Sequence, residues 1–188
     1  MLQTHRTAWQ RPAGGVDWQE EVARFEADYP DLDTLEVILP DSNGVLRGKW
    51  LPGSALRKVF ENGVALPFSL FGLDVWGREV EETGMHIETG DKDGVCWPVP
   101  GSLRAVPWAE RPTAQVLLSM HDRDGSAFMC DPRHVLARKA GRLGEHGLTA
   151  TAAFELEFYL FEDKDDGDWS SPPTPVFSTH LGPARQNM

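Results

Sequence analysis

Two acids, Glu155 and Glu157, stand two positions apart in the apolar run TAAFELEFYLFED, residues 151–163. Side chains alternate along an extended strand, so Phe154, Leu156, Phe158 and Leu160 fall on one face and Glu155, Glu157 and Tyr159 on the other. At about 3.3 Å of rise per residue, the two α-carbons lie roughly 6 to 7 Å apart. Two readings fit this pattern. A half-buried strand with a solvated outer face produces it with no chemistry at all. A pair of carboxylates facing a cavity produces it as well, and would offer hard oxygen ligands to Mg²⁺ or Mn²⁺. Spacing alone does not choose between them. Tyr159 reads as packing in either case.

The other residues with chemical potential are scattered. His86, His121 and His134 have no metal-ligand spacing with the acids and read as surface or internally satisfied histidines. Cys96 and Cys130 form no CxxC pair, so both read as isolated reduced thiols. Asp122 and Asp124 in HDRDG fit a turn. Asp74 with Glu79, Glu81 and Glu82 could meet a cationic ligand, although a run of charges is first a solvated face. Arg47 and Lys49, beside a turn, read as structural or interface charges.

The elements that must position these residues follow from periodicity. Residues 1–16 carry no pattern and read as a flexible tail. Trp18, Val22, Phe25 and Tyr29 recur at helical spacing behind the N-cap candidate Asp17, which predicts a helix over 17–29. Two β-rich runs around DSNG predict a hairpin over 34–52. A short helix follows over 53–63, with Ser54 as its cap and Gly63 as its stop. The acidic, Gly-rich residues 79–94 read as an exposed loop, and strand candidates lie in VCWPVPGSLRAVPW and TAQVLLSMHD. Asp131 and Pro132 open a third helix, with Val135, Leu136 and Leu143 as its apolar stripe and Gly147 as its stop. The Glu-x-Glu strand comes next, so helix and strand read as a packed αβ unit. Strands, short helices and long loops together predict an α+β fold.

Composition sets outer bounds. The 188 residues include 18 Lys and Arg against 29 Asp and Glu, a formal charge of −11, which argues against a nucleic-acid or anionic-membrane surface. No run approaches the roughly 20 apolar residues of a membrane span, and the first 15 residues lack the apolar core of a signal peptide, so a cytoplasmic protein is expected.

Four stretches in order, DSNGVLRGKWLP, GDKDGVCWPVPGSLRAVPW, CDPRHVLARKAG and FELEFYLF, together resemble the N-terminal part of glutamine synthetase-like ligases. The resemblance implies a β-grasp-like domain with its leading helix over 17–127. It further implies that 128–188 begin a catalytic α/β barrel that is incomplete here. It implies an ATP-dependent enzyme that forms a γ-glutamyl phosphate and passes the γ-glutamyl group to an amine. Glu155 then matches a ligand of the metal shared with the nucleotide phosphates, and Glu157 a ligand of the metal near the acyl phosphate. The implied cofactors are Mg²⁺ or Mn²⁺ with ATP as co-substrate, and the implied assembly is a ringed homo-oligomer with active sites between subunits.

Where ammonia-using members carry a DGSS-like stretch, this sequence reads PFSLFG, and Pro67 takes the place of the ammonium-binding Asp. PFSLFGLDVWG looks more like the branch acting on larger amines, the γ-glutamylpolyamine or γ-glutamylamide synthetases. An apolar, aromatic-lined mouth with acids nearby would suit an alkyl chain with a cationic end. The nucleotide loop and remaining metal ligands of the family fall beyond residue 188, so the chain alone is expected to be inactive. The competing expectation is a short non-catalytic β-grasp module that docks on a full-length relative.

Overall fold

The computed structural model describes residues 17–85 and 90–158. By internal packing the chain divides into residues 1–149 and 150–188. The described part of the first unit is mixed α+β, as expected. His86 lies outside the described residues, as do Tyr159 and Leu160.

Helix α1 spans Trp18–Asp28. The Asp17 carboxylate accepts from the Gln19 N–H at 2.9 Å, and Glu20 and Glu21 place negative charge at the positive end of the helix dipole. Its apolar stripe docks on the core, with Val22 and Phe25 buried, while Tyr29 remains half exposed and stacks on Phe25. Strands β1 (Thr34–Pro40) and β2 (Leu46–Pro52) form the predicted antiparallel hairpin, in register from Thr34 opposite Pro52 to Pro40 opposite Leu46.

The helix expected over 53–63 starts later and is not capped by Ser54. A 3₁₀ turn over Gly53–Ala55 leads into α2, Leu56–Asn62, with no side-chain cap. The Gly53 N–H donates to Asp33 O at 2.7 Å, which continues the β1–β2 pairing by one residue, and the 3₁₀ turn starts at once after it. Ser54 therefore sits inside a turn rather than in the extended backbone that capping requires. The C-terminal stop holds, since Gly63 has φ of +68° and donates to Val59 O.

Strands β3 (Val64–Pro67), β4 (Asp93–Pro98), β5 (Arg104–Ala105) and β6 (Thr113–His121) complete a sheet of order β2-β1-β6-β4-β3, with β5 also paired to β6. β1 runs parallel to β6, and the other pairings are antiparallel. Alternation decides which face is covered. Leu35, Val37 and Leu39 of β1 and Val116, Leu118 and Met120 of β6 are fully buried under Val22 and Phe25 of α1 and Leu56, Val59 and Phe60 of α2. Each such side chain withdrawn from water contributes about 1.5–3 kcal/mol.

Helix α3 spans Pro132–Glu145, capped by Asp131 and stopped at Gly147 as predicted. Its stripe is not a core face, because Val135, Leu136 and Leu143 remain 39%, 71% and 37% exposed. In the second unit the predicted strand is not formed over residues 150–158. A strand exists only through ladder bonds to a neighbour, and these residues are exposed, Phe154 by 94% and Leu156 by 83%.

Candidate functional site

Glu155 and Glu157 both lie in the second unit and are both exposed. Their carboxylates are hard oxygen donors, so the pair fits the chemistry of a Mg²⁺ or Mn²⁺ ligand set. A Mg²⁺ ion takes about six oxygens, of which the pair supplies a part. Among the described residues, no group of three or more His, Cys, Asp or Glu is placed to hold a metal. Other ligands or water would have to complete the shell.

In the first unit, the candidate cation acids resolve into turn architecture. Asp74 Oδ1 accepts from the N–H groups of Trp76 and Arg78, both at 2.8 Å, so this carboxylate shapes the loop. Trp76 at the tip is 81% exposed. Glu79 pairs across the loop with Leu73, and Glu81 and Glu82 lie in an exposed 3₁₀ turn.

Arg47 is structural. Its Nε donates to Asp41 Oδ2 at 3.0 Å and its Nη2 to Asp74 O at 2.9 Å, which ties the 73–79 loop to the hairpin turn. Asn43 adds a second tie through Leu73 O. Lys49 Nζ donates to Ala65 O at 3.1 Å. Asp41 is almost completely buried and also accepts from the Asn43 and Val45 N–H groups. Sequence reading treated Asp41 only as part of a turn former; its burial comes from the loop folded over it.

Residues 67–72 build interior rather than an open mouth. Pro67 ends β3, and Phe68 and Phe71 pack on Phe128 with ring centroids 4.3 and 5.7 Å away. Phe71 is only 5% exposed, so its ring serves the core. Asp122 and Asp124 form the predicted turn. Hydrogen bonds from Ser126 to Asp124 Oδ1 hold its pKa below the usual carboxylate value.

Two buried acids join distant elements, and neither role was read from sequence. Glu21 accepts from Gly101 N at 2.9 Å and Leu103 N at 3.1 Å, closing the floor of a groove of about 480 Å³ between α1 and the segment before β5. Its position on the Trp18–Val22–Phe25 face was the available signal. Asp131, fully buried, caps α3 with one oxygen and accepts from Met120 N at 2.8 Å with the other. Beside it, His121 Nδ1 lies 3.1 Å from Ser119 O and His134 Nε2 lies 2.7 Å from Met120 O, so both histidines are internally satisfied, as expected.

Comparison with known proteins bears on what this arrangement serves. The family model for the glutamine synthetase catalytic domain matches residues 129–187, a span that opens just before α3 and includes both candidate ligands. Gamma-glutamylputrescine synthetase of Escherichia coli (strain K12) is 41% identical over 162 residues, covering 85% of this chain and 34% of that protein. The chain belongs to the glutamine synthetase family.

Within that family, gamma-glutamylethanolamide synthetase of Streptomyces coelicolor (strain ATCC BAA-471 / A3(2) / M145) is 33% identical, over 75% of this chain and 31% of the relative. A crystal structure of a novel glutamine synthase homolog shares the fold with a TM-score of 0.53 at 18% identity, over 61% of this chain and 27% of that one. The chain thus spans about a third of the length of the curated relatives it matches. Among the described residues, no helix is long and apolar enough to cross a membrane.

Proposed function

We propose that this chain is part of an ATP-dependent glutamate–amine ligase whose acceptor is an amine larger than ammonia. The 41% identity to a γ-glutamylputrescine synthetase, across 85% of the chain, carries this reading. Pro67 supports it, because proline at the position matched to the ammonium-binding Asp of the family leaves no carboxylate there to hold and deprotonate ammonium. Residues 17–127 are the β-grasp-like domain, and 128–188 open the catalytic barrel. In a ringed assembly the β-grasp-like domain would close a neighbour's active site. The cytoplasm supplies glutamate, amine and ATP.

Glu155 and Glu157 would hold the divalent cations, Glu155 on the nucleotide side and Glu157 on the acyl-phosphate side. When bound, such ions offset charge on the phosphate oxygens during phosphoryl transfer. Two exposed carboxylates would offer hard oxygens to such ions. Because they are only part of a ligand set, the 188 residues by themselves would not turn over.

The test is ADP release by the protein captured from its source with an antibody against residues 17–149, assayed with glutamate, Mg²⁺ and a panel of putrescine, ethanolamine and ammonium. Release driven by the larger amines and lost in E155Q and E157Q supports the reading. Release driven best by ammonium would refute the acceptor assignment. No amine-dependent release, with a native mass matching 188 residues, would favour the docking-module alternative, for which the separately packed core of residues 17–149 is the supporting observation.

A further inference from the structure

Among the described residues, the hydrogen bonds that tie helix α3 to the sheet come from its cap and first turn. Pro132, Arg133 and His134 are partly buried, and every residue from Val135 through Glu145 is exposed. The holding contacts are few. Asp131 accepts from Met120 N, His134 Nε2 donates to Met120 O, and Arg133 Nε lies 3.3 Å from Ser119 Oγ. The fourth contact is between rings: His121 at the end of β6 meets His134 edge to face, with centroids 4.5 Å apart at 76°. Nothing in the glutamate–amine ligase reading uses either imidazole.

We propose that the His121–His134 contact is an acid-sensitive latch that holds the first turn of α3 on β6 when the His121 ring is neutral and lets go when it is protonated. With carbonyl partners, His121 donates from Nδ1 and His134 from Nε2, and the neutral His121 ring is satisfied by that one bond. His121 is only 7% exposed, so a cation there lacks water.

The groups facing His121 come from three elements. β6 supplies the Ser119 carbonyl, the following turn supplies Asp122, and the cap and first turn of α3 supply Asp131 and His134. Burial, followed by the His134 ring, lowers the His121 pKa below its usual value; the Ser119 carbonyl, Asp131 and Asp122 oppose this without reversing it. The sign follows. A depressed pKa in the folded state means that the released state binds the proton more readily. The contribution is therefore complete above about pH 6.5, where both states are neutral, and is lost as pH falls below that value.

The Met120 N–H is the reporter, because its partner is Asp131 rather than the neighbouring strand. Amide exchange in the 188-residue chain is followed by NMR at pH 7.5 and 5.5, corrected for chemical exchange and referenced to the Val37 amide in the sheet core. The expected result is a loss of Met120 protection of five-fold or more on acidification, while Val37 is unchanged. Two non-titrating variants retain the donors: His121→Asn can still reach Ser119 O, and His134→Gln can still reach Met120 O. His121→Asn should remove the pH dependence and His134→Gln should weaken it, both keeping protection at pH 7.5, because burial as well as the His134 ring opposes charge on His121. Met120 protection that is unchanged or greater at pH 5.5 overturns the latch, as does a full pH dependence that persists in either variant. Should either variant fail to fold, the wild-type imidazole titration still decides: a His121 midpoint at or above 6.5 also overturns the proposal.

Discussion

Asp41 is the side chain whose loss should do most damage for its size. Its carboxylate is the common acceptor for the Asn43 and Val45 N–H groups and for Arg47 Nε, and its side chain is 1% exposed against 17% for Arg47. Asp41→Ala removes one partner of a largely buried pair, a change that costs about 3–5 kcal/mol when the surviving charge has nowhere to go. Arg47 has some recourse, because its Nη2 retains Asp74 O and a sixth of the side chain reaches water. The expected cost is therefore at the lower end, about 3 kcal/mol. With a urea m-value of about 1.5 kcal/mol/M, the unfolding midpoint falls by about 2 M at unchanged m. Arg47→Ala should cost less, since Asp41 keeps its two backbone donors, and the double variant should cost less than the sum of the singles. A midpoint for Asp41→Ala within about 0.5 M of wild type would refute the reasoning, because the hairpin turn and the 73–79 loop would then stand without the pair.

Gly63→Ala should destabilise by about 3 kcal/mol in the same assay. Its φ of +68° with ψ of −175° is open essentially to glycine alone, and a Cβ would lie 2.9 Å from Val95 Cγ1. A thiol reagent should label Cys130 quickly in the native chain and Cys96 only after unfolding, because Cys130 is exposed and burial pushes the Cys96 thiol far above its usual pKa. Equal labelling rates would contradict that burial. Glu155→Gln and Glu157→Gln should change thermal stability by less than about 0.5 kcal/mol, since both side chains are exposed. Calorimetry showing a larger loss would mean that the carboxylates have a structural role.

Much of the first unit could be read from periodicity, because α1, α2, β1 and β6 bury one face each. The Trp18–Val22–Phe25 stripe, the alternation in β1 and the Asp131 cap all appear where pattern places them. Ser54 misled because capping depends on the backbone entering the helix, and here a 3₁₀ turn over Gly53–Ala55 carries the chain into α2 directly from the hairpin. Asp41, Glu21 and the second bond of Asp131, from Met120 N, were opaque for a related reason. Glu21 and Asp131 accept from backbone groups that the folded chain brings near, and Asp41 is tied through Arg47 to a distant loop; such links leave no periodic trace.

The acid pair behaves in the opposite way. Alternation made Glu155 and Glu157 conspicuous, yet alternation describes a ladder, and a ladder is a property of two strands rather than one. Residues 150–158 make no such pairing, so Phe154 and Leu156 face water together with the acids they were expected to oppose. A pattern with a buried side implies a partner that buries it. The same pattern with neither side buried leaves the carboxylates exposed and chemically suited to a divalent cation, and loss of amine-dependent ADP release in the two glutamine variants is the result that ties the pair to phosphoryl transfer.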